Sequence, residues 1–138
     1  MTFYKQLMSV KKELTSLGFQ VLVPNGARIM EKDDDFDVKR FLKKYYGNTF
    51  AQKKRLAVKA HFQKIARGDA ILVLNYTKHG VEGYIGPNVL MEMGLGFHLG
   101  KKIFLFNPYS KDSPFVDELS ALAPKIVAGN LTHLRIMD

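Results

Sequence analysis

The chain contains no cysteine. That excludes a disulfide framework, a thiolate zinc site and a cysteine nucleophile. Long apolar runs are also missing. The longest, residues 70–74 and 103–106, fall far short of the roughly 20 residues a membrane helix needs. No membrane partner is therefore expected. The first residues, MTFYK, lack the charged-then-apolar pattern of a secretory signal. Together these features fit a cytoplasmic protein. Hydrophobic residues make up 46% and charged residues 25% of the 138 positions, which is the balance of a folded chain and not of a disordered one. The length suits one domain, residues 1–138. No internal repeat or low-complexity linker divides it.

Acidic residues are absent from one long stretch. Residues 38–68 hold ten of the 21 lysines and arginines and none of the 13 acids. The net charge of +8 therefore belongs to that segment, because the remainder is slightly acidic. An acidic patch, Glu31, Asp33, Asp34, Asp35 and Asp37, comes just before it. One reading is a solvated helix face with acids near its N-terminal end, where the helix dipole favours them. The other is an electrostatic funnel for a nucleotide or a nucleic acid. Tyr45, Tyr46 and Phe50 are interleaved there and offer rings for stacking on bases. No RNA-binding signature, zinc-finger spacing or basic-zipper heptad accompanies them, so nucleic acid is the lesser alternative.

Apolar periodicity predicts a helix over residues 3–17, where Phe3, Leu7, Val10, Leu14 and Leu17 recur at helical steps before Gly18. Residues 19–23 read as a short strand and 27–36 as a polar loop. Asp37 is placed to cap a helix over 38–46, and a second helix covers 50–66 after a break at Gly47. Residues 70–75 and 102–107 read as buried strands. Between them lie a glycine-rich loop, 76–87, and a helix from Asn88 to about Leu99. A helix over 113–122 and an edge strand over 125–127 follow. Strands alternating with helices imply a mostly parallel sheet with helices on both faces. Ligands of such sheets bind beyond the carboxyl ends of the strands. That puts residues 24–27, 76–88 and 108–111 on one rim.

Two glycine-spaced segments raise nucleotide binding. Gly94 and Gly96 lie inside a helix, so the dinucleotide fingerprint fails, and no Walker-type loop exists. These glycines instead suit close approach of the helix to a neighbour or to the sheet. Asn88 suits an N-cap, which sets Glu92 at the end of the first turn among Val89, Leu90, Met91, Met93 and Leu95. A carboxylate there is costly to bury unless satisfied, while the helix dipole favours its ionised form. Glu92 is then either a nucleophile for an electrophilic sugar carbon or a structural glutamate bonded to nearby backbone. His61 and His79 are too isolated for a metal site, and no metal or cofactor is expected.

Three blocks carry a resemblance: DAILVLN over 69–75, GPNVLMEMG over 86–94 and GKKIFLFNP over 100–108. Together they resemble the nucleoside 2-deoxyribosyltransferase-like superfamily, which includes 2′-deoxynucleoside 5′-monophosphate N-glycosidases. The resemblance covers about residues 3–130 and is strongest over 61–108. It implies a doubly wound, flavodoxin-like sheet, usually in a homodimer or larger homo-oligomer. It implies a nucleoside or nucleotide substrate and cleavage or transfer at the N-glycosyl bond through a covalent glycosyl–glutamate. Glu92 matches the nucleophile. Gly86, Pro87 and Asn88 match the turn that approaches the sugar or its 5′ end. Asn75, Tyr84 and Asn107 fall at the expected rim, and Asn107 lies where partner-subunit contacts are expected.

The chain departs from that pattern at three places. Where many members have an aspartate eight residues before Asp69, this chain has His61, a possible hydrogen-bonding group without the aspartate's role. Where the transferases have a second acid six residues before the nucleophile, it has Gly86, which suits phosphate binding by backbone amides better than base exchange. The family's first strand and its turn are missing ahead of Phe3, so Tyr4 is not equated with the family's N-terminal tyrosine, and the coding start is expected upstream or trimmed. The loop over 76–85, with Lys78, His79 and Tyr84, is longer than in the minimal glycosidases and suits a lid. Three functions remain open at this point: an N-glycosyl enzyme, a non-catalytic nucleotide-binding module of the same fold, and a basic nucleic-acid-binding protein.

Overall fold

A computed structural model describes residues 3–136, and side chains for 3–135. The chain divides into two compact units, residues 3–64 and 65–136. Seven α-helices and three strands are present among the described residues.

The first unit is helical. Helix α1 (Tyr4–Ser16) buries Leu7, Val10 and Leu14, the predicted stripe. Helix α2 (Asn25–Asp33) corrects two expectations. The polar loop expected over 27–36 is mostly helix, because Ala27 and Met30 are buried one turn apart while Arg28, Glu31 and Lys32 face outward. Residues 19–23 belong to no strand. The carbonyl of Val23 accepts from Lys64 Nζ at 2.7 Å instead of from a ladder. Helix α3 (Val38–Tyr45) starts as expected at Asp37, whose carboxylate accepts from the Arg40 amide at 2.9 Å. Four first-turn amides lack helical partners, and this bond satisfies one. A short 3₁₀ turn (Gly47–Thr49) leads into α4 (Phe50–Arg67), which continues across the division between units.

The second unit holds an open, three-stranded parallel sheet in the order β1 (Ala70–Val73), β2 (Lys102–Leu105), β3 (Lys125–Ile126). Ala70 pairs with Lys102 and Val73 with Leu105, and β3 joins as an edge at Phe104 and Leu105. Helices α5 (Pro87–His98) and α6 (Val116–Leu122) form the two crossovers, and α7 (His133–Ile136) follows β3. Side chains alternate across the strands. Ile71 and Val73 of β1, with Ile103 and Leu105 of β2, meet Val89, Leu90 and Met93 of α5 and Leu119 of α6. Met93, Leu105 and Leu119 have no measurable exposure. Burial of side chains this size contributes about 1.5–3 kcal/mol each. Gly96 brings α5 onto the sheet, since a Cβ there collides with the Ile71 side chain. The expected close approach therefore holds at Gly96. At Gly94 the space is open.

Candidate functional site at the strand ends

Beyond the ladder, β1 and β2 stay joined by side chains. Phe106 donates its amide to the Val73 carbonyl at 2.9 Å. One step later Asn75, fully buried, takes over. Its Oδ1 accepts from the Asn107 amide at 2.8 Å, and its Nδ2 donates to the Asn107 carbonyl at 2.6 Å. Asn107 returns the contact by donating Nδ2 to the Asn75 carbonyl at 3.2 Å. The buried carboxamide thus acts as an extra peptide group. A polar side chain is tolerated here because its donors and acceptor are satisfied. Its polar atoms are engaged by Asn107 and by the Gly83 carbonyl.

The following loop is folded on itself. Lys78 and Val81 exchange backbone bonds at 3.1 and 2.9 Å around His79 and Gly80. Both central residues have positive φ, 53° and 72°, the requirement of a two-residue hairpin turn whose twist matches the strands. Gly83 has φ 61°, and any Cβ there would strike the Pro108 carbonyl. This glycine seats the loop directly on the segment that leaves β2. Tyr84, half-buried, lies beside Gly86, with 3.4 Å from its ring to where a Gly86 Cβ would stand. Lys78 Nζ sits 5.5 Å from the Tyr84 ring centroid, and the His79 ring meets it edge-on at 5.6 Å. The segment expected to act as a lid holds a two-residue hairpin turn at its tip, with Tyr84 at its base.

The cap of helix α5 lies two residues earlier than expected. Gly86 is the N-cap and Pro87 the first helical residue, so Asn88 is not the cap. Proline suits that position because its missing N–H is not needed and its φ is already helical. The Gly86 carbonyl accepts from Leu90 at 3.0 Å. The shift moves Glu92 from the end of the first turn into the second, about 7.5 Å along the axis from Pro87. The dipole's influence fades within the first turn, so it supports an anion at Glu92 less than the sequence suggested. Glu92 is half-buried, one helical turn past half-buried Asn88 on the same flank.

Asn75, Tyr84, Gly86, Pro87, Asn88, Glu92 and Asn107 all belong to the sheet-bearing unit. His61 belongs to the helical unit, half-buried on α4. His98 is exposed at the end of α5. His133 lies in α7, its Nδ1 3.2 Å from the Val127 carbonyl and its Nε2 3.2 Å from Asn130 Nδ2.

A charged cluster in the helical unit was not foreseen as a unit. Asp33, Asp35, Arg40, Phe41, Lys44, Tyr45 and Met30 line a hollow of about 120 Å³. Tyr45 donates to Asp33 at 2.6 Å and Lys44 to the same oxygen at 3.2 Å. These hold the Asp33 carboxyl below the usual range, the tyrosine bond first. The amide of Asp37, then Arg40, does the same for Asp35. Arg40 Nε lies 2.8 Å from Asp35. The legible signal was acids at 33, 35 and 37 ahead of bases at 40 and 44, one helical turn apart.

Comparison of the chain with protein-family models, with curated proteins and with solved structures gives no match. Among the described residues no helix is long and apolar enough to cross a membrane. The chain is a mixed α/β protein with a small parallel sheet whose strand ends β1 and β2 are locked together beside the start of α5.

Proposed function

We propose that the rim formed by the ends of β1 and β2 and the start of α5 binds a nucleoside or nucleotide, and that Glu92 cleaves its N-glycosyl bond. The observation carrying this reading is the Asn75–Asn107 lock. It fixes the carboxyl ends of two parallel strands, the rim along which open parallel sheets take ligands where strand order reverses, although the described order β1-β2-β3 contains no reversal. Tyr84 supplies a ring for a base at that rim. The Gly86 cap and its following turn offer backbone close to a sugar or its 5′ end, and Asn88 stands between that turn and Glu92.

In the reaction, a Glu92 carboxylate oxygen forms a bond to C1′ while the C1′–N bond breaks. The base leaves with the bonding electrons and takes a proton from water. Water then attacks C1′ and gives a proton to the hydroxide left by the first step, the bond from C1′ to the Glu92 oxygen breaks, and the carboxylate returns. Two inversions retain configuration. Gly86 leaves no acid six residues before Glu92, which favours water over a second base as acceptor. The same proposal includes a doubly wound sheet and a homo-oligomer, the latter supported by exposed Met91 and Phe97 on α5 and Leu99 just after it.

Incubation with 2′-deoxynucleosides and their 5′-monophosphates, followed by chromatography for free base, tests the reading. Release by the wild type and at least a thousandfold loss in Glu92→Ala are expected, as for removal of other covalent nucleophiles. Absence of release, or equal release by the variant, overturns it. Thermal stabilisation by nucleotide without turnover identifies a binding module instead.

A further inference from the structure

We propose that the exposed face of α4 is a docking surface for single-stranded nucleic acid, separate from the Glu92 chemistry. Ten cations and no anion lie in residues 38–68. The structure shows which of them are already engaged. Arg40 pairs with Asp35 and Asp37, Lys44 pairs with Asp33, and Lys64 donates to the Val23 carbonyl and to Asn25. Among the described residues no ion pair engages Lys53, Lys54, Arg55 or Lys59, all on α4.

Helical spacing then sorts them. Gln52, Arg55, Leu56, Lys59 and Gln63 recur at three- and four-residue steps, and every one is exposed. Lys53 is exposed on the adjoining flank. Leu56 is 63% exposed in the middle of this stripe, and Phe50, one turn before Lys53, is 46% exposed. The opposite side of the helix carries buried Ile65 and half-buried Val58. An exposed helix face with cations, two amide side chains and no acid attracts phosphate without repelling it. One apolar side chain among these polar ones is too little to enter a bilayer.

Phe50 favours a single strand over a duplex, because an unpaired base presents a face to a ring and a stacked one does not. Of the five aromatics in residues 38–68, only Phe50 is exposed; Phe41 is buried and Phe62 half-buried. Tyr45 is committed to Asp33, and Tyr46 packs against Phe41 and Phe50 with its hydroxyl pKa raised by burial.

The test uses the full chain and a labelled oligothymidylate of about 20 nucleotides, read by fluorescence anisotropy across salt. Three phosphate contacts give a slope of log K against log salt of about −2. The triple variant K53E/R55E/K59E is expected to lose binding. Phe50→Ala is expected to weaken it about tenfold at unchanged slope. A second triple variant, K5E/K12E/R135E, makes the same charge change at exposed sites elsewhere and is expected to bind nearly as wild type. Equal loss in both triple variants, tighter binding to duplex or to phosphatidylserine vesicles than to the oligothymidylate, or no binding at low salt overturns the proposal. Glu92→Ala is expected to bind as wild type.

Discussion

Asn75 and Asn107 face each other across the ends of two parallel strands, and each side-chain amide bonds the other's backbone. The exchange is unequal. Asn75 is buried and serves both the amide and the carbonyl of Asn107, whereas Asn107 serves one carbonyl of Asn75. Asn75→Ala strands the amide and carbonyl of Asn107 and removes three bonds, the third a long one of 3.5 Å to the Gly83 carbonyl, at a cost of about 2–4 kcal/mol. Asn107→Ala leaves the Asn75 side-chain bonds in place and costs about 1 kcal/mol. Urea midpoints of the two variants check this. A larger loss at Asn107 contradicts the arrangement.

Gly83 is the second support of the rim. Gly83→Ala meets both a left-handed φ and the Pro108 carbonyl, while Gly80→Ala meets only the left-handed φ, because its space is open. The expected loss is about 1 kcal/mol at Gly80 and several times that at Gly83. Thermal denaturation of the pair measures the ordering, and equal losses would show that the loop does not rest on Pro108.

Acid sensitivity follows from Asp33 and Asp35. Their folded pKa values lie below the unfolded value of about 3.9. The ionised forms are therefore favoured in the folded chain. The stability they contribute is complete above about pH 4 to 5 and is lost as pH falls through the lowered folded values. Tyr45→Phe removes the largest cause at Asp33. Carboxyl carbon NMR is expected to show the Asp33 midpoint moving up in that variant while Asp35 stays. An unmoved Asp33 midpoint contradicts the tyrosine bond. Both pairs are solvent-exposed, and such bonds add little to overall stability.

The hydrogen bonds around His133 favour one tautomer of its neutral ring. Asn130 Oδ1 already accepts from the Thr132 amide at 3.1 Å and its hydroxyl at 2.6 Å. That turns Asn130 Nδ2 toward His133 Nε2, which must accept, so Nδ1 carries the proton and donates to the Val127 carbonyl. Long-range ¹H–¹⁵N spectra of the neutral ring should show the Nδ1–H form. An Nε2–H form would require the Asn130 amide to be reversed.

The sequence revealed most where periodicity was strong. Leu7, Val10 and Leu14 marked α1, Asp37 marked the start of α3, and the apolar runs marked β1 and β2. It misled at α2, where only Ala27 and Met30 are buried in a largely polar segment. It also misled at residues 19–23, whose β-like composition carries no information about whether a partner strand lies alongside. Part of the rim was legible. Gly86, Pro87 and Glu92 share one short motif, but proline's preference for the first helical position outweighed asparagine's for the cap, and Glu92 moved two positions deeper. The mutual bonding of Asn75 and Asn107 was not legible, because residues 32 apart in the chain meet only through strand register. Gly83 gave no local sign of its role for the same reason, as Pro108 lies across the sheet rim.

Covalent capture tests the proposed chemistry most directly. Protein quenched during turnover of a 2′-deoxynucleoside 5′-monophosphate, then digested and weighed by mass spectrometry, is expected to carry a deoxyribosyl phosphate on the peptide containing Glu92. The adduct should be absent in Glu92→Gln. A sugar on another side chain, or base release with no sugar bound at any point of the time course, would contradict Glu92 as the nucleophile.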